Sequence, residues 1–383
     1  MESKAHLKRI AVLYPKAIGD FLFILPALHT LRRALPETHL TLVVKTKQAP
    51  LAVPQQGTLV DDVIVLGGQT SWWDVRRKLA ESKVDAVVDM AGNDQAGLIL
   101  AWRGGRRIRP HAADCKGRCA LYSPFAETMP RLPVGRHRVE ELLSFARFLG
   151  AAEPVMSFRL RLPDQAVAEC EKMIARHQLR SGAVVVLNLG ASRDTKRWPA
   201  ERFAALAQAL LARGYRVALT GAREFKSDGH YDRLTVEQFA RAGWVDGERC
   251  VDLITTHDLS PALQLQRDAH FLRYSGVPRV VVGNDTGPMH LAGSVGDDAR
   301  NKTVSLFGPT NWGRYAPYDA SKQFPDNPAG TWNRVLSFNA DCGPVGHQEA
   351  CRCYRRGCAH KTCMVELASD AVLSAVVSLA GPP

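Results

Sequence analysis

The chain has 383 residues, of which 46% are hydrophobic, 7% aromatic and 23% charged. This composition is typical of a globular protein with two domains and excludes an intrinsically disordered chain. The formal net charge of +12 at pH 7 favours an anionic partner, such as a nucleic acid, an anionic membrane or a phosphorylated substrate, over a merely soluble basic surface.

The N-terminal residues show no apolar secretory core, and no stretch reaches the roughly 20 apolar residues that span a bilayer. The most apolar stretch, residues 21–31, is short and contains Pro26 and His29. We therefore expect a cytoplasmic protein, or one that binds peripherally to the inner face of the inner membrane.

Short apolar runs alternate with helical patterns in the first part of the chain. Strands are predicted over residues 10–14, 40–44, 60–66 and 84–90, and helices over residues 20–35 and 73–82. This βαβα order is typical of a mainly parallel sheet covered by helices. The basic segment at residues 102–118 is interpreted either as a grip for phosphate or lipid headgroups or as a solvated face.

The same pattern restarts after helices predicted at residues 139–149 and 164–178. It gives strands over residues 183–189, 216–220, 280–282 and 303–307, and helices over residues 200–213 and 365–379. The sequence thus predicts two Rossmann-like domains, residues 1–175 and 176–364. Residues 365–383 would form a C-terminal helix that could pack back on the N-terminal domain. Ligands of such sheets bind at the carboxyl ends of the strands.

The stretch VVVGNDTGPMHLAGS, residues 280–294, ends a strand at Gly283 and restarts as a helix at Pro288. The free N–H groups and the dipole at the start of a helix favour an anion such as a phosphate. Thr286 adds a hydroxyl, Gly287 lets the backbone approach closely, and His290 lies on the first turn. The alternative is that Asp285 or Thr286 only caps the helix, but a cap requires one such residue.

Two more polar loops follow predicted strands. The loop GASRDTKRWP, residues 190–199, carries Ser192, Thr195 and Lys196, which suit a diphosphate and a ribose; alternatively, it is a polar loop anchored by Trp198. Asp20 opens the first helix, and its position fits a helix cap and a general base equally well.

Nine cysteines are present, and five of them lie near the C-terminus. In the run CRCYRRGCAHKTC, Cys351, Cys353, Cys358 and Cys363 could hold a structural zinc or iron. The spacing is not that of a zinc ribbon. Reduced, partly buried thiols are the favoured interpretation.

Four segments together carry a family resemblance: IGDFLFILPALHTLRRALP, LNLGASRDTKRWPAERFAALAQALLARGYRVALTGA, VVVGNDTGPMHLAGSVG with TVSLFGPTNWGRYAPY, and CYRRGCAHKTCMVEL. They resemble the heptosyltransferases, glycosyltransferase family 9. The resemblance covers most of the chain. It implies the α/β GT-B fold, in which two Rossmann-like domains with parallel sheets face each other across a cleft.

The resemblance also implies an inverting transfer of heptose from ADP-heptose to a sugar hydroxyl of the lipopolysaccharide inner core, with no cofactor required for catalysis. Asp20 matches the family's catalytic base. The implied donor-binding residues are Ser192, Thr195, Lys196, Glu224, Asp285, Thr286, Gly287 and His290. Lys16, Arg136 and Arg138 are our candidates for holding an anionic glycolipid acceptor, and an anionic membrane surface is a further expected partner.

Other activities remain as alternatives. Some family members glycosylate proteins, so a protein acceptor or another nucleotide sugar stays open. Residues 221–280 also lack the family's usual alanine- and leucine-rich helix. A dinucleotide-dependent oxidoreductase is disfavoured because no G-x-G-x-x-G follows a strand. Nucleic-acid binding is disfavoured because aromatic residues do not alternate with the basic ones.

Overall fold

The computed structural model describes residues 7–101, 104–115, 121, 124–133, 135–221, 246–254, 259–295, 301–319, 332–338, 358 and 360–383. The chain divides into two compact units, Met1–Arg161 and Leu162–Pro383. The division therefore lies before the predicted boundary at residues 175 and 176, and the helix Asp164–Arg176 belongs to the second unit.

The first unit contains a sheet of six parallel strands in the order β3-β2-β1-β4-β5-β6. Its elements in chain order are β1 (Arg9–Leu13), α1 (Asp20–Ala34), β2 (His39–Lys45), α2 (Ala49–Ala52), β3 (Asp62–Leu66), α3 (Trp72–Glu81), β4 (Ala86–Asp89), α4 (Asp94–Leu100), β5 (Arg106–Arg109), β6 (Glu127–Thr128) and α5 (Arg138–Phe148).

The centre of this sheet is buried on both faces. All four residues of β4 are buried, as are four of the five in β1, which explains their near-continuous apolar sequence. The sequence did not predict β5 and β6, because RRIR has one apolar side chain. At that side of the sheet, Arg106 Nε donates to Glu127 Oε1 at 2.6 Å, so charged side chains bridge the two outer strands.

The second unit contains another sheet of six parallel strands, in the order β12-β11-β10-β7-β8-β9. Its elements are α6 (Asp164–Arg176), β7 (Val184–Asn188), a 3-10 helix (Asp194–Lys196), α7 (Ala200–Ala212), β8 (Arg216–Thr220), β9 (Cys250–Asp252), α8 (Pro261–Arg273), β10 (Pro278–Asn284), α9 (Gly287–Gly293), β11 (Lys302–Phe307), α10 (Trp312–Tyr315), β12 (Asn333–Ser337), α11 (Thr362–Val365) and α12 (Ser369–Ala380).

Both sheets follow the doubly wound order in which the direction of winding reverses between the first and fourth strands. The reversal lies between β1 and β4 in the first unit and between β7 and β10 in the second. A crevice for ligands forms at the carboxyl ends of the strands at such a reversal. Four of the candidate residues follow strands at these two edges: Lys16, Asp20, Lys196 and Asp285.

Two sequence expectations need correction in the second unit. Gly283 does not break the strand: it lies inside β10, where a Cβ would come within 2.8 Å of Met289 Sδ. The stretch LQLQRDAHFLR, in the region expected to lack the family's helix, lies within α8, capped by Ser260.

The C-terminal helix predicted over residues 365–379 corresponds to α12, which starts four residues later at Ser369; the short α11 ends at Val365. The longer one, α12, packs on α7, β10 and β11 of the second unit, and the expectation that it also packs on the N-terminal domain stays a prediction. Among the residues that the structure describes, no helix is both long enough and apolar enough to cross a membrane.

Candidate active site

The carboxyl edge of the second sheet holds an ion pair at the reversal between β7 and β10. Lys196 Nζ lies 2.6 Å from Asp285 Oδ2, and the two side chains are 11% and 5% exposed. Lys196 comes from the loop after β7, and Asp285 follows the last residue of β10. The sequence placed both residues at a diphosphate site, and the structure brings them into direct contact.

Asn284 fastens the loop that carries Lys196 to the end of β10. Its side-chain Nδ2 donates to the carbonyl oxygens of Leu189 and Gly190 at 3.0 and 3.2 Å, and its Oδ1 accepts from the Trp198 N–H at 2.9 Å. Asn284 is fully buried. One amide therefore holds both ends of the loop at residues 189–198, a role that the sequence analysis did not assign.

The turn after β10 is not closed by a side-chain cap. Thr286 occupies the cap position of α9 without capping it; its Oγ1 donates to Asn284 O at 3.1 Å and lies 3.3 Å from Asn188 Oδ1. The helix starts at Gly287, one residue before the predicted Pro288, and His290 is buried within it. The capping alternative for Asp285 and Thr286 is therefore wrong.

The remaining candidates on the loop differ in exposure. Ser192 is exposed, whereas Thr195 is buried and its Oγ1 has no hydrogen-bond partner among the described residues. A buried hydroxyl without a partner is costly, so Thr195 is suited to meet a polar group of a ligand.

The segment around α11 contacts this loop through two side chains. Lys361 forms an ion pair with Asp194, and Trp198 Nε1 donates to Leu367 O at 2.8 Å. Trp198 is thus both a packing anchor, as the alternative interpretation had it, and a link to the C-terminal segment.

The carboxyl edge of the first sheet presents Asp20 at the start of α1. The cap position belongs to Gly19, and Asp20 Oδ2 instead accepts the Ala17 N–H at 3.2 Å, outside the helix. Asp20 is half-buried. Of the two interpretations that the sequence left open, the helix cap is therefore wrong, and a carboxylate with access to solvent remains.

Two of the three acceptor candidates lie near one buried carboxylate. Arg138 Nη2 donates to Met90 O at 2.5 Å and its Nη1 lies 2.7 Å from Glu141 Oε2. The charges of Lys16 and Arg138 act on Asp89, the last residue of β4. Arg136 is exposed. The sequence analysis missed Asp89, although a carboxylate that ends an otherwise apolar strand was a usable signal.

Comparison with known proteins shows the family of the chain. Residues 72–330, more than half of the chain, match Glycosyltransferase family 9 (heptosyltransferase). The chain belongs to this family.

Individual relatives of the family are distant. The chain is 30% identical over 118 residues to lipooligosaccharide heptosyltransferase 2 of Haemophilus ducreyi, an alignment that covers 30% of this chain and only 28% of that relative. It is 25% identical over 326 residues to lipopolysaccharide heptosyltransferase 1 of Pseudomonas aeruginosa, which covers 82% of each chain.

A solved structure of the family shows the same fold. The E. coli heptosyltransferase WaaC with ADP matches with a TM-score of 0.62 and 19% identity over 96% of this chain and 98% of that one. The prediction of the α/β GT-B fold class, with two Rossmann-like domains, is confirmed.

Several predicted residues cannot be placed. Glu224, Cys351 and Cys353 lie outside the described residues. Cys358 and Cys363 are half-buried, and within the described part of the chain no three or more His, Cys, Asp or Glu side chains gather as a metal site would require. The four-cysteine metal site stays a prediction.

Proposed function

We propose that this family 9 protein transfers a heptose from ADP-heptose to a sugar hydroxyl of the lipopolysaccharide inner core, with inversion at the anomeric carbon. The observation that carries the proposal is the Lys196–Asp285 pair, 2.6 Å apart at the reversal between β7 and β10. Such a crevice is where doubly wound sheets bind nucleotides, and a lysine there supplies a point charge for a diphosphate.

The proposed reaction begins at Asp20. Its carboxylate takes the proton of the acceptor hydroxyl, and the oxygen attacks the anomeric carbon from the face opposite the diphosphate. The bond from that carbon to the diphosphate oxygen breaks, and ADP leaves with the electron pair. Lys196 stabilises the negative charge that develops on the leaving diphosphate. The mechanism requires no metal ion, because a lysine supplies this charge.

The donor assignment has two supports. One solved structure of similar fold, the E. coli heptosyltransferase, contains ADP. In this chain, the Thr195 hydroxyl is buried beside Lys196 and lacks a partner among the described residues, so it can bind a donor oxygen. Ser192, Thr286, Gly287 and His290 complete the proposed donor site.

The acceptor assignment depends on charge. A net charge of +12 and the cations Lys16, Arg136 and Arg138 at the carboxyl-edge side of the first sheet suit an anionic glycolipid. The same charge would attract the protein to an anionic membrane surface. We therefore place the protein in the cytoplasm, peripheral to the inner face of the inner membrane.

The test exposes the purified protein to ADP-heptose, to UDP- and GDP-linked sugars and to NADH, and follows thermal unfolding. A ligand at ~100 times its dissociation constant adds roughly 2.7 kcal/mol to stability. We expect protection by ADP-heptose and its loss in Lys196→Met. Protection by a different nucleotide sugar would change the donor, and protection by NADH alone would overturn the proposal.

A second assay assigns the acceptor. The protein is incubated with ADP-heptose and either deacylated lipopolysaccharide inner core or a mixture of cytoplasmic proteins, and heptose incorporation is measured. Incorporation into the oligosaccharide supports the proposal. Incorporation into protein alone would replace the glycolipid by a protein acceptor.

A further inference from the structure

Asp89 is a fully buried carboxylate at the carboxyl end of β4, beside β1 at the reversal of the first sheet. Its Oδ1 accepts the N–H groups of Ala91 and Gly92, both at 2.8 Å. Its Oδ2 has no hydrogen-bond partner among the described residues. Burial raises the pKa of Asp89 to about 6, although the two N–H groups, Lys16 and Arg138 pull it down.

A structural role in the turn explains only one of the two carboxylate oxygens of Asp89. One oxygen satisfies both N–H groups of the turn, and Gly92 adopts the positive φ of 61° that the turn requires. The second oxygen contributes nothing to the turn, and leaving a charged oxygen buried is unfavourable. The carboxylate therefore has a use beyond the turn.

The turn that Asp89 fixes is fastened to the loop that carries Lys16 and Asp20. Asn93 follows the turn, caps α4 by accepting the Ala96 N–H at 3.0 Å, and donates through Nδ2 to Pro15 O at 3.0 Å. A displacement of the turn would thus be passed to the residue immediately before Lys16.

The other side of the same loop is also held. Buried Gln48 accepts the N–H groups of Lys16 and Lys45 at 3.1 and 3.0 Å through its Oε1. With both sides of the loop fixed by side chains, the position of the Lys16 backbone is defined, and the charge of Asp89 acts on its ammonium group.

Arg138 reaches the same place from α5. It donates to Met90 O, the carbonyl directly after Asp89, and its charge also acts on the Asp89 carboxylate. Two cations from different elements, the β1–α1 loop and α5, thus share one buried counter-charge.

We propose that Asp89 is a positioning residue that holds Lys16 and Arg138, through its buried charge, in the arrangement that receives the anionic acceptor. The inference rests on the proposed function and deepens it. Asp89 does not touch the acceptor; it acts through the two cations and through the turn that Asn93 ties to the catalytic loop.

The test compares Asp89→Asn with Asp85→Asn. Asp85 is a matched control because it also accepts two backbone N–H groups, those of Lys8 and Arg9, but at the amino edge of the sheet. An asparagine at either position keeps an oxygen acceptor and removes the charge. Steady-state constants for both substrates are measured on the full chain.

We expect Asp89→Asn to raise the acceptor KM by about tenfold, the effect of losing one interaction with a charged group, with the donor KM unchanged. Asp85→Asn should change neither. In the wild type the acceptor KM should change through an inflection near pH 6, and Asp89→Asn should abolish it. A purely structural role would not produce this split or this pH profile.

A second variant covers the case in which Asp89→Asn folds poorly. Lys16→Met should raise the acceptor KM alone, and the wild-type inflection near pH 6 should become smaller because one of the two responding cations is lost. Where both single variants fold, the increase in acceptor KM in the double variant, Asp89→Asn with Lys16→Met, should be less than the sum of the two single effects expressed as free energies.

The outcomes distinguish failure of the proposed function from failure of the proposed role of Asp89. An absence of transfer by the wild type with every donor and acceptor refutes the proposed function, and the role of Asp89 with it. Transfer by the wild type, with acceptor KM values that are the same in Asp89→Asn and Asp85→Asn or with full additivity to Lys16→Met, refutes only the role of Asp89.

Discussion

The carboxyl edges of the two sheets share one plan and differ in how they treat charge. In each unit an acid stands at the end of the fourth strand: Asp89 is the last residue of β4, and Asp285 directly follows β10. A lysine stands on the loop after the first strand, Lys16 in the first unit and Lys196 in the second. In the second unit the two charges meet at 2.6 Å. In the first, the acid binds backbone N–H groups of its own turn.

This difference separates two ways of presenting a cation. Lys196 is fixed by direct contact with its counter-charge, which suits a diphosphate that must be bound in one position. The charges of Lys16 and Arg138 both act on the buried carboxylate of Asp89, and Arg138 also pairs with Glu141. Under the proposed function, the equivalent edges of the two sheets would bind a compact diphosphate in one unit and a larger anionic acceptor in the other.

The largest expected effect comes from Asp20, the proposed general base at the carboxyl edge of the first sheet. Asp20→Asn should lower turnover by about 10²–10⁴-fold, since it removes a general base, while ADP-heptose still protects against thermal unfolding. Asp94→Asn, in the first turn of α4, is the control. Turnover within a few-fold of the wild type would remove Asp20 from the mechanism.

The next largest effect comes from breaking the Lys196–Asp285 ion pair at the carboxyl edge of the second sheet. Lys196→Met leaves Asp285 buried without its cation, which should cost about 3–5 kcal/mol of unfolding free energy and abolish donor protection. In the double variant with Asp285→Asn, stability should return and donor binding should not. Urea unfolding and calorimetry measure the two quantities.

A surface pair supplies the control for Lys196. Lys172→Met breaks an ion pair with Glu169 in which the lysine is 71% exposed, and it should cost no more than about 1 kcal/mol. Recovery of donor affinity in the Lys196→Met, Asp285→Asn protein would show that the lysine only neutralises Asp285.

A smaller effect is the pH dependence of stability that the buried Asp89 causes in the first unit. The pKa of Asp89 is raised from 3.8 to about 6, so the folded protein binds a proton more tightly than the unfolded one. The stability that this proton contributes is present below about pH 4 and is lost as the pH rises through 6. Asp89→Asn lacks this loss, so its stability relative to the wild type should rise by up to about 3 kcal/mol between pH 4 and 7.5.

Urea unfolding at three pH values measures how the free energy of unfolding changes with pH. Asp61→Asn is a control for which we expect a change of the opposite sign. Burial raises the pKa of Asp61, but the Leu40 N–H and Arg32 together hold it below its usual value. Its contribution is therefore lost as the pH falls, and that variant should lose its disadvantage in acid. A stability difference between Asp89→Asn and the wild type that does not change with pH would show that folding does not raise the pKa of Asp89.

The smallest effect lies at the start of α3, which follows the outer strand β3 and is separated by two strands from the reversal between β1 and β4. Ser71 caps α3 and forms a capping box with Asp74, so Ser71→Ala should cost about 1 kcal/mol of stability with no change in either KM. Altered kinetics with unchanged stability would mean that α3 contributes to substrate binding.

The sequence predicted the fold best where strands are buried on both faces and their residues are correspondingly apolar. The runs around β1, β4, β7 and β10 are apolar because both faces of the sheets are buried, so these strands were predictable. Polar residues at their ends marked the ligand edges. By contrast, β5 is an arginine-rich strand and β12, NRVLS, is half polar, and neither has a pattern that distinguishes it from a loop.

Contacts between distant residues could not be read from the chain. The bonds from Asn284 to residues 189, 190 and 198 require the fold to bring β7 beside β10. Asp89 resembled an ordinary strand-end acid until its burial and its neighbour Lys16 were visible. Side-chain identity suggested the ligand chemistry, whereas pairing and burial determine which residues can perform it.

The last residues of the chain have a consequence for biosynthesis. The side chains of α12 fill the space between α7 and β10, Lys302 Nζ donates to Leu379 O at 2.6 Å, and Tyr215 bonds Gly381 O. The first unit is continuous and ends at Arg161, so it can fold while the ribosome is still translating the rest. The core of the second unit is incomplete until α12 has been synthesised, so this unit cannot finish folding before that helix is available.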